Sequence, residues 1–83
     1  MQKLILKLYV PSVGEYFDMS APADLEIAEL TAVLAKAAEE LYPGRYKSSH
    51  QEILIQKSPD RLLDKKRTLS DYGIADGTNL ILM

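Results

Sequence analysis

The sequence of 83 residues contains no cysteine and no tryptophan, and it has one histidine and one phenylalanine. Without cysteine the chain can form no disulfide, no thiolate metal site and no thiolate nucleophile. A chain of this size without cross-links relies on well-packed regular elements. We therefore expect one domain over residues 1–83, with an apolar fraction of 47% that is ordinary for a globular protein.

Long apolar runs are also missing. No segment approaches the roughly 20 apolar residues that a membrane-spanning helix needs. The apolar run near the N-terminus is too short for a signal peptide, and no cleavage-like site follows it. The sequence thus predicts a cytoplasmic protein with no membrane span.

Residues typical of catalytic sites are scarce. His50 follows Ser48 and Ser49, but adjacent residues cannot form the geometry of a nucleophile, a base and an orienting group. A single histidine without clustered carboxylates makes a poor metal site, and no glycine-rich phosphate loop is present. We expect no enzyme activity, no cofactor and no metal, with His50 in a surface loop.

Alternating apolar residues predict a hairpin at the N-terminus. The first run places four apolar residues on one face: Leu4, Leu6, Leu8 and Val10. Turn residues follow at 11–14, and a second run has Phe17 and Met19 inward with Tyr16, Asp18 and Ser20 outward.

A helical period replaces the alternation from about residue 25 to residue 42, with Asp24 as the expected N-cap. Its inward arc comprises Ile27, Leu30, Leu34, Ala37, Ala38 and Leu41. Pro43 and Gly44 end the helix.

The rest of the chain predicts short strands. Residues 52–56 form one, with Ile53 and Ile55 inward and Leu54 outward. A turn at 58–60 precedes a short strand at Leu62-Leu63, and the last strand has Leu80 and Leu82 inward. The order ββαβ(β)β predicts the α+β class, with one long helix packed across a mixed sheet.

Residues 67–74 predict a one-turn helix that is held at both ends. Thr68 and Asp71 have the spacing of a capping box, in which each side chain bonds the other residue's N–H. Gly73 stands where a left-handed residue is needed, and the Tyr72 hydroxyl requires a partner. Leu69 and Ile74 anchor the turn.

With its elements in this order, the chain resembles ubiquitin, which implies a ubiquitin-like β-grasp fold. The resemblance includes Met1-Gln2, the hairpin, the helix, Arg67-Thr68-Leu69-Ser70-Asp71-Tyr72 and Ile74. Two features depart from ubiquitin: the helix and its following loop are longer, and the only glycines are at 14, 44, 73 and 77. Without a diglycine tail, we expect that the chain is not conjugated.

The chain is more closely similar to the YukD/EsaB family of type VII secretion systems in Gram-positive bacteria. Three stretches carry this: Tyr16-Phe17-Asp18-Met19 leading through Ala21-Pro22, Ile27 with the helix at 30–34, and Leu69-Ser70-Asp71-Tyr72-Gly73-Ile74-Ala75-Asp76-Gly77. The resemblance implies a non-catalytic accessory or regulatory factor of a WXG100/ESX-like machine driven by an FtsK/SpoIIIE-type ATPase. Its protein partner would be the cytosolic part of that machine. An alternative is a small ubiquitin-fold subunit of a multicomponent enzyme such as a bacterial monooxygenase, which gene neighbourhood would distinguish.

Outward apolar residues are the best candidates for protein binding. The alternation places Leu54, Ile81 and Met83 outward, and ubiquitin presents its main recognition patch on the same strands. Lys57 and Arg61 add positive charge from segment 45–67, which holds seven of the ten basic residues against three acidic ones. Tyr46 is the only aromatic nearby, so we expect no nucleic-acid binding. Homo-oligomerisation stays open.

Overall fold

A computed structural model describes residues 3–49, 51–57 and 60–83 of the chain. Met1 and Gln2 of the ubiquitin-like start, the loop residue His50, and Ser58 and Pro59 of the predicted turn lie outside the described residues.

One long helix and a five-stranded mixed sheet make up the fold. The elements are β1 (Lys3–Val10), β2 (Glu15–Pro22), α1 (Ile27–Leu41), β3 (Leu54–Gln56), β4 (Arg61–Leu62), a 3-10 helix (Ser70–Tyr72) and β5 (Asn79–Leu82). The strand order is β2-β1-β5-β3-β4, with β1 and β5 parallel and the other pairs antiparallel. This confirms the predicted α+β architecture. Within the described ranges, no helix has both the length and the apolar composition for crossing a membrane.

The core lies between α1 and one face of the sheet. The four alternate residues predicted inward on β1 are all buried, as are Leu80 and Leu82 on β5. On α1 the buried positions are Ile27, Leu30, Thr31, Leu34, Ala35 and Ala38. The inward prediction for Leu41 is wrong, since this side chain is 54% exposed. Tyr42 takes the contact with the sheet instead, with its ring centroid 6.2 Å from that of Phe17.

The start of α1 also differs from the prediction. The N-cap is Glu26 rather than Asp24, and its side chain makes no capping hydrogen bond. The first two helical N–H groups donate to backbone carbonyls instead: Ile27 to Arg67 at 2.8 Å and Ala28 to Lys65 at 3.0 Å. A segment distant in sequence therefore satisfies the helix terminus, so a side-chain cap is not needed.

The phase of β3 is opposite to the predicted one. Leu54 is 1% exposed, whereas Ile53 is exposed and Ile55 is half-buried. The register explains this, because Leu54 lies opposite the buried Leu82 of β5, and directly opposite residues point to the same face of a sheet. The outward prediction for Leu54 is wrong.

The turn at 67–74 is the predicted capped turn. The Thr68 N–H donates to Asp71 Oδ2 at 2.9 Å, and the Asp71 N–H donates to Thr68 Oγ1 at 3.2 Å. Gly73 has a φ of +66° and closes the 3-10 helix. The Tyr72 hydroxyl accepts the N–H of Asp64 at 2.8 Å, which links this turn to the segment after β4.

Replacing Asp71 by alanine is expected to lower the free energy of unfolding by about 1 kcal/mol, because it removes one side of the capping box. Urea unfolding would measure the change, with Ser70→Ala as a control at the exposed neighbouring position of the same turn. Loss of partner binding by Asp71→Ala with an unchanged melting temperature would instead give this residue a direct role in recognition.

Candidate functional site

The face of the sheet opposite α1 carries an apolar row that crosses all five strands. Tyr16 on β2 lies opposite Tyr9 on β1, Tyr9 lies beside Ile81 on β5, and Ile81 lies opposite Ile55 on β3. Ile55 in turn lies opposite Leu62 on β4. Since opposite residues share a face, the register places these five side chains together. We call them the outer row: Tyr16, Tyr9, Ile81, Ile55 and Leu62.

The two ends of the outer row are the most exposed. Tyr16 is 62% exposed and Leu62 is 61% exposed, while the three central residues are half-buried. The rings of Tyr9 and Tyr16 contact each other with centroids 4.5 Å apart. The same strand phase adds Ile5, Ile53 and Met83, all of them exposed. The apolar side chains therefore form a continuous surface rather than isolated exposed residues, and such surfaces mark interaction sites.

Positive charge flanks the outer row. Lys7 shares the face with Tyr9, and its Nζ lies 5.9 Å from the centroid of the Tyr16 ring. Lys57 and Lys7 line a shallow cavity of about 440 Å³ together with Ile81 and both tyrosines of the row. Asp18 is the acidic residue of this face on β2, opposite Lys7. The face thus combines apolar contact area with a mainly cationic rim.

The structure brings together only part of the predicted binding set. Ile81, Met83 and Lys57 lie on the outer face, and their role in binding stays a prediction. Leu54 belongs to the core and is excluded from any surface.

Arg61 lies on the other side of the sheet, since it pairs with Gln56, which lies opposite the buried Leu80. Its guanidinium donates to Gln56 Oε1 at 2.6 Å and stacks 4.6 Å from the centroid of the Tyr72 ring. This arrangement separates Arg61 from Lys57.

Sequence reasoning missed most of the outer row. Tyr9, Tyr16 and Leu62 are separated by up to 53 positions, and only the strand order brings them side by side. The outward phase of both tyrosines was readable from the alternation. Ile53, Ile55 and Lys57 lie on the same side of a strand, and a lysine normally faces solvent. The position of Lys57 was therefore a signal in the sequence that Ile55 faces outward.

A buried polar cluster lies in the loop between α1 and β3. Glu52 is buried, and its Oε2 accepts the Tyr46 hydroxyl at 3.0 Å and the Ser49 N–H at 2.7 Å. Burial alone would raise the pKa of Glu52, but hydrogen bonds from Ser49, Ser48 and Tyr46 outweigh it and hold the pKa below its ordinary value of 4.5. Burial, and then the Glu52 carboxylate, raise the pKa of Tyr46 well above its ordinary range. The cluster therefore stabilises the loop through a buried carboxylate.

Comparison with protein families identifies one matching family model. Its description is "WXG100 protein secretion system (Wss), protein YukD", and it matches residues 10–82. A comparison with curated proteins finds no match.

Solved structures with a similar fold are ubiquitin-like. Ubiquitin of Caldiarchaeum subterraneum has a TM-score of 0.74 at 16% identity, over 98% of this chain and 91% of the other. The ubiquitin-like domain of Plasmodium falciparum Dsk2 has a TM-score of 0.70 at 18% identity, over 99% and 100%. The ubiquitin-like domain of an Arabidopsis thaliana protein has a TM-score of 0.72 at 17% identity, over 100% and 78%. At these identities the likeness establishes the fold.

Proposed function

Because the chain belongs to the YukD family of the WXG100 protein secretion system, we propose that it is a non-catalytic interaction module that assists or regulates this system. It docks a protein component of the secretion machine through the outer face of its sheet. The outer row is the observation that carries the proposal, since five apolar side chains from five strands form one continuous surface.

The character of the face also indicates the chemistry of the partner. Apolar contact area at the centre with a polar rim is the usual anatomy of a protein interface. Lys7 and Lys57 at the rim favour a partner whose surface is acidic around an apolar patch. Binding should therefore weaken as the salt concentration rises, because rim charges act mainly on the rate of association.

Affinity capture from the native host tests the proposal. The protein should retain components of the WXG100 secretion machine, and Leu62→Asp should weaken that retention by about tenfold or more, because it places a charge in the apolar contact area of the outer row. Leu62 is exposed, so this substitution should leave the fold intact.

Val33→Asp is the matched control for this experiment. Val33 is 51% exposed on α1, so the substitution places the same charge on an apolar residue of the opposite face. The proposed face is wrong if Leu62→Asp and Ile81→Asp, both folded, retain the secretion components as well as the original protein does. It is also wrong if Val33→Asp alone loses them.

A further inference from the structure

The free edge of β2 has backbone groups that are arranged to pair with another strand. β2 is the first strand in the sheet order, and in the described part of the chain no strand lies beyond it. It is eight residues long and antiparallel to β1 along its whole length. A long edge of this kind is a template for strand addition.

The hydrogen bonds of β1 reveal which β2 groups face the free edge. The Lys7 N–H donates to the Thr78 carbonyl at 3.1 Å, and the Ile5 carbonyl accepts the Gly77 N–H at 2.8 Å. The Ile5 N–H donates to Asp76 Oδ1 at 2.8 Å. The backbone groups of Lys7 and Ile5 are therefore directed away from β2 and toward the β5 side.

In an antiparallel ladder, a residue whose backbone groups point away lies in a non-hydrogen-bonded pair, and so does its partner. The partners of Lys7 and Ile5 are Asp18 and Ser20, and the same alternation applies to Tyr16 opposite Tyr9. The N–H and C=O groups of Tyr16, Asp18 and Ser20 consequently point to the free edge. Six backbone groups stand there at the two-residue spacing that an added strand requires.

Partly exposed apolar side chains accompany this edge on the inner side of the sheet. Phe17 and Met19 belong to the inward phase of β2, but they are only half-buried. Tyr42 contacts Phe17 from the end of α1, and Leu41 before it is exposed. Inward side chains of an added strand would cover Phe17 and Met19, as cross-strand neighbours do in a sheet.

The position of Asp18 decides between the occupants of this edge. Two copies pairing through all three free residues would place Asp18 directly opposite Asp18, and like charges opposite each other destabilise a strand pair. A shift by one pair toward the C-terminal end brings Pro22, which has no N–H, into the ladder. A shift toward the N-terminal end brings in Gly14, whose φ of +70° is not that of a strand residue. The edge therefore disfavours a second copy and favours a segment with a basic residue opposite Asp18.

We propose that β2 binds an extended peptide segment of another protein in which a lysine or arginine is flanked on both sides by apolar residues. The segment continues the sheet by pairing with Tyr16, Asp18 and Ser20. Its basic side chain lies opposite Asp18 on the outer face, and its two apolar side chains pack beside Phe17 and Met19 on the inner side. This edge site uses the backbone of β2 and shares only Tyr16 with the outer row.

The test uses a palindromic peptide, Gly-Ser-Thr-Val-Lys-Val-Thr-Ser-Gly, which places lysine opposite Asp18 in either strand direction. Binding is followed by amide chemical shifts and by hydrogen exchange of the full chain. In the free protein, the amides of Tyr16, Asp18 and Ser20 should exchange quickly, while those of Phe17 and Met19 are protected by β1. A saturating concentration of the peptide should slow hydrogen exchange at the amides of Tyr16, Asp18 and Ser20 by about tenfold or more. The peptide should bind with a Kd below about 1 mM.

Backbone methylation supplies a matched control within the peptide. In antiparallel pairing, N-methylation of the lysine removes an N–H that faces β2 and should abolish binding, whereas N-methylation of a flanking valine alters an N–H that faces away and should preserve it. In parallel pairing the two outcomes are exchanged, because the residues flanking the lysine then face β2. Asp18→Lys should weaken binding of the lysine peptide by about 2- to 5-fold. It should strengthen binding of the peptide in which glutamate replaces the lysine by a similar factor. Equal effects of the two methylations would overturn the proposal, as would protection confined to amides around Ile81 or no shift at about 1 mM peptide.

Discussion

Replacing Leu54 by alanine is expected to lower the free energy of unfolding by about 2–5 kcal/mol, the usual cost of truncating a buried leucine. Leu54 is 1% exposed and lies opposite Leu82, so its side chain fills the core under β3 and β5. Urea unfolding followed by circular dichroism would measure the loss. The same experiment tests the phase of β3 directly, because the opposite phase would put Leu54 on the surface.

Met83→Ala is the control for Leu54→Ala. Met83 follows β5 on the outer face and is 59% exposed, so its truncation should change the free energy of unfolding by less than about 0.5 kcal/mol. If the two substitutions cost the same, β3 and β5 do not have the register described above. A large loss for Leu54 with a small one for Met83 would show that Leu54 is buried and that Ile53 and Ile55 are the residues of β3 on the outer face.

Replacing Glu52 by alanine is expected to lower the free energy of unfolding by about 2–4 kcal/mol at pH 7, since it leaves the Tyr46 hydroxyl and the Ser49 N–H without their acceptor. The pKa of Glu52 is lowered by folding, so its ionised form stabilises the folded state above the ordinary pKa of 4.5. This stabilisation is lost as the pH falls through the lower pKa of the folded protein. Unfolding by urea at several pH values between 7 and 3 would follow it.

Glu52→Gln separates the charge from the hydrogen bonds. Glutamine keeps an acceptor for Tyr46 and Ser49 but cannot titrate, so stability should fall less steeply below pH 4.5 than in the original protein. Glu40→Gln, at an exposed position of α1, is the control and should keep the steep acid dependence. An unchanged acid dependence in Glu52→Gln would show that other carboxylates dominate acid unfolding.

The parts of the fold that were predictable from sequence rest on local interactions. The alternation in β1 determines which of its side chains are buried, because one face is uniformly apolar and the other carries Lys3 and Lys7. The capping box of Thr68 and Asp71 joins residues three positions apart, so its geometry follows from spacing alone. The same reasoning failed at the start of α1, where carbonyls about 40 positions away satisfy the helix N–H groups.

The candidate site was only partly predictable, and β3 is the reason. Its apolar residues occupy both phases, with Leu54 on one side and Ile53 and Ile55 on the other, so the pattern does not choose a face. Pairing with β5 makes the choice, and it moves Leu54 into the core and Ile55 into the outer row. Arg61 is likewise assigned to the inner side by its pairing with Gln56.

The sequence by itself thus determined the element order, the ubiquitin-like class, the capped turn and the family resemblance, since each depends on neighbouring residues or on a recognisable motif. The tertiary structure alone decided the phase of β3, the backbone capping of α1 and the row that joins Tyr16 to Leu62. It also decided which N–H and C=O groups of β2 face the free edge. These features depend on contacts between segments that are remote in sequence. In the sheet, a one-residue change of register would place a different set of side chains on each face.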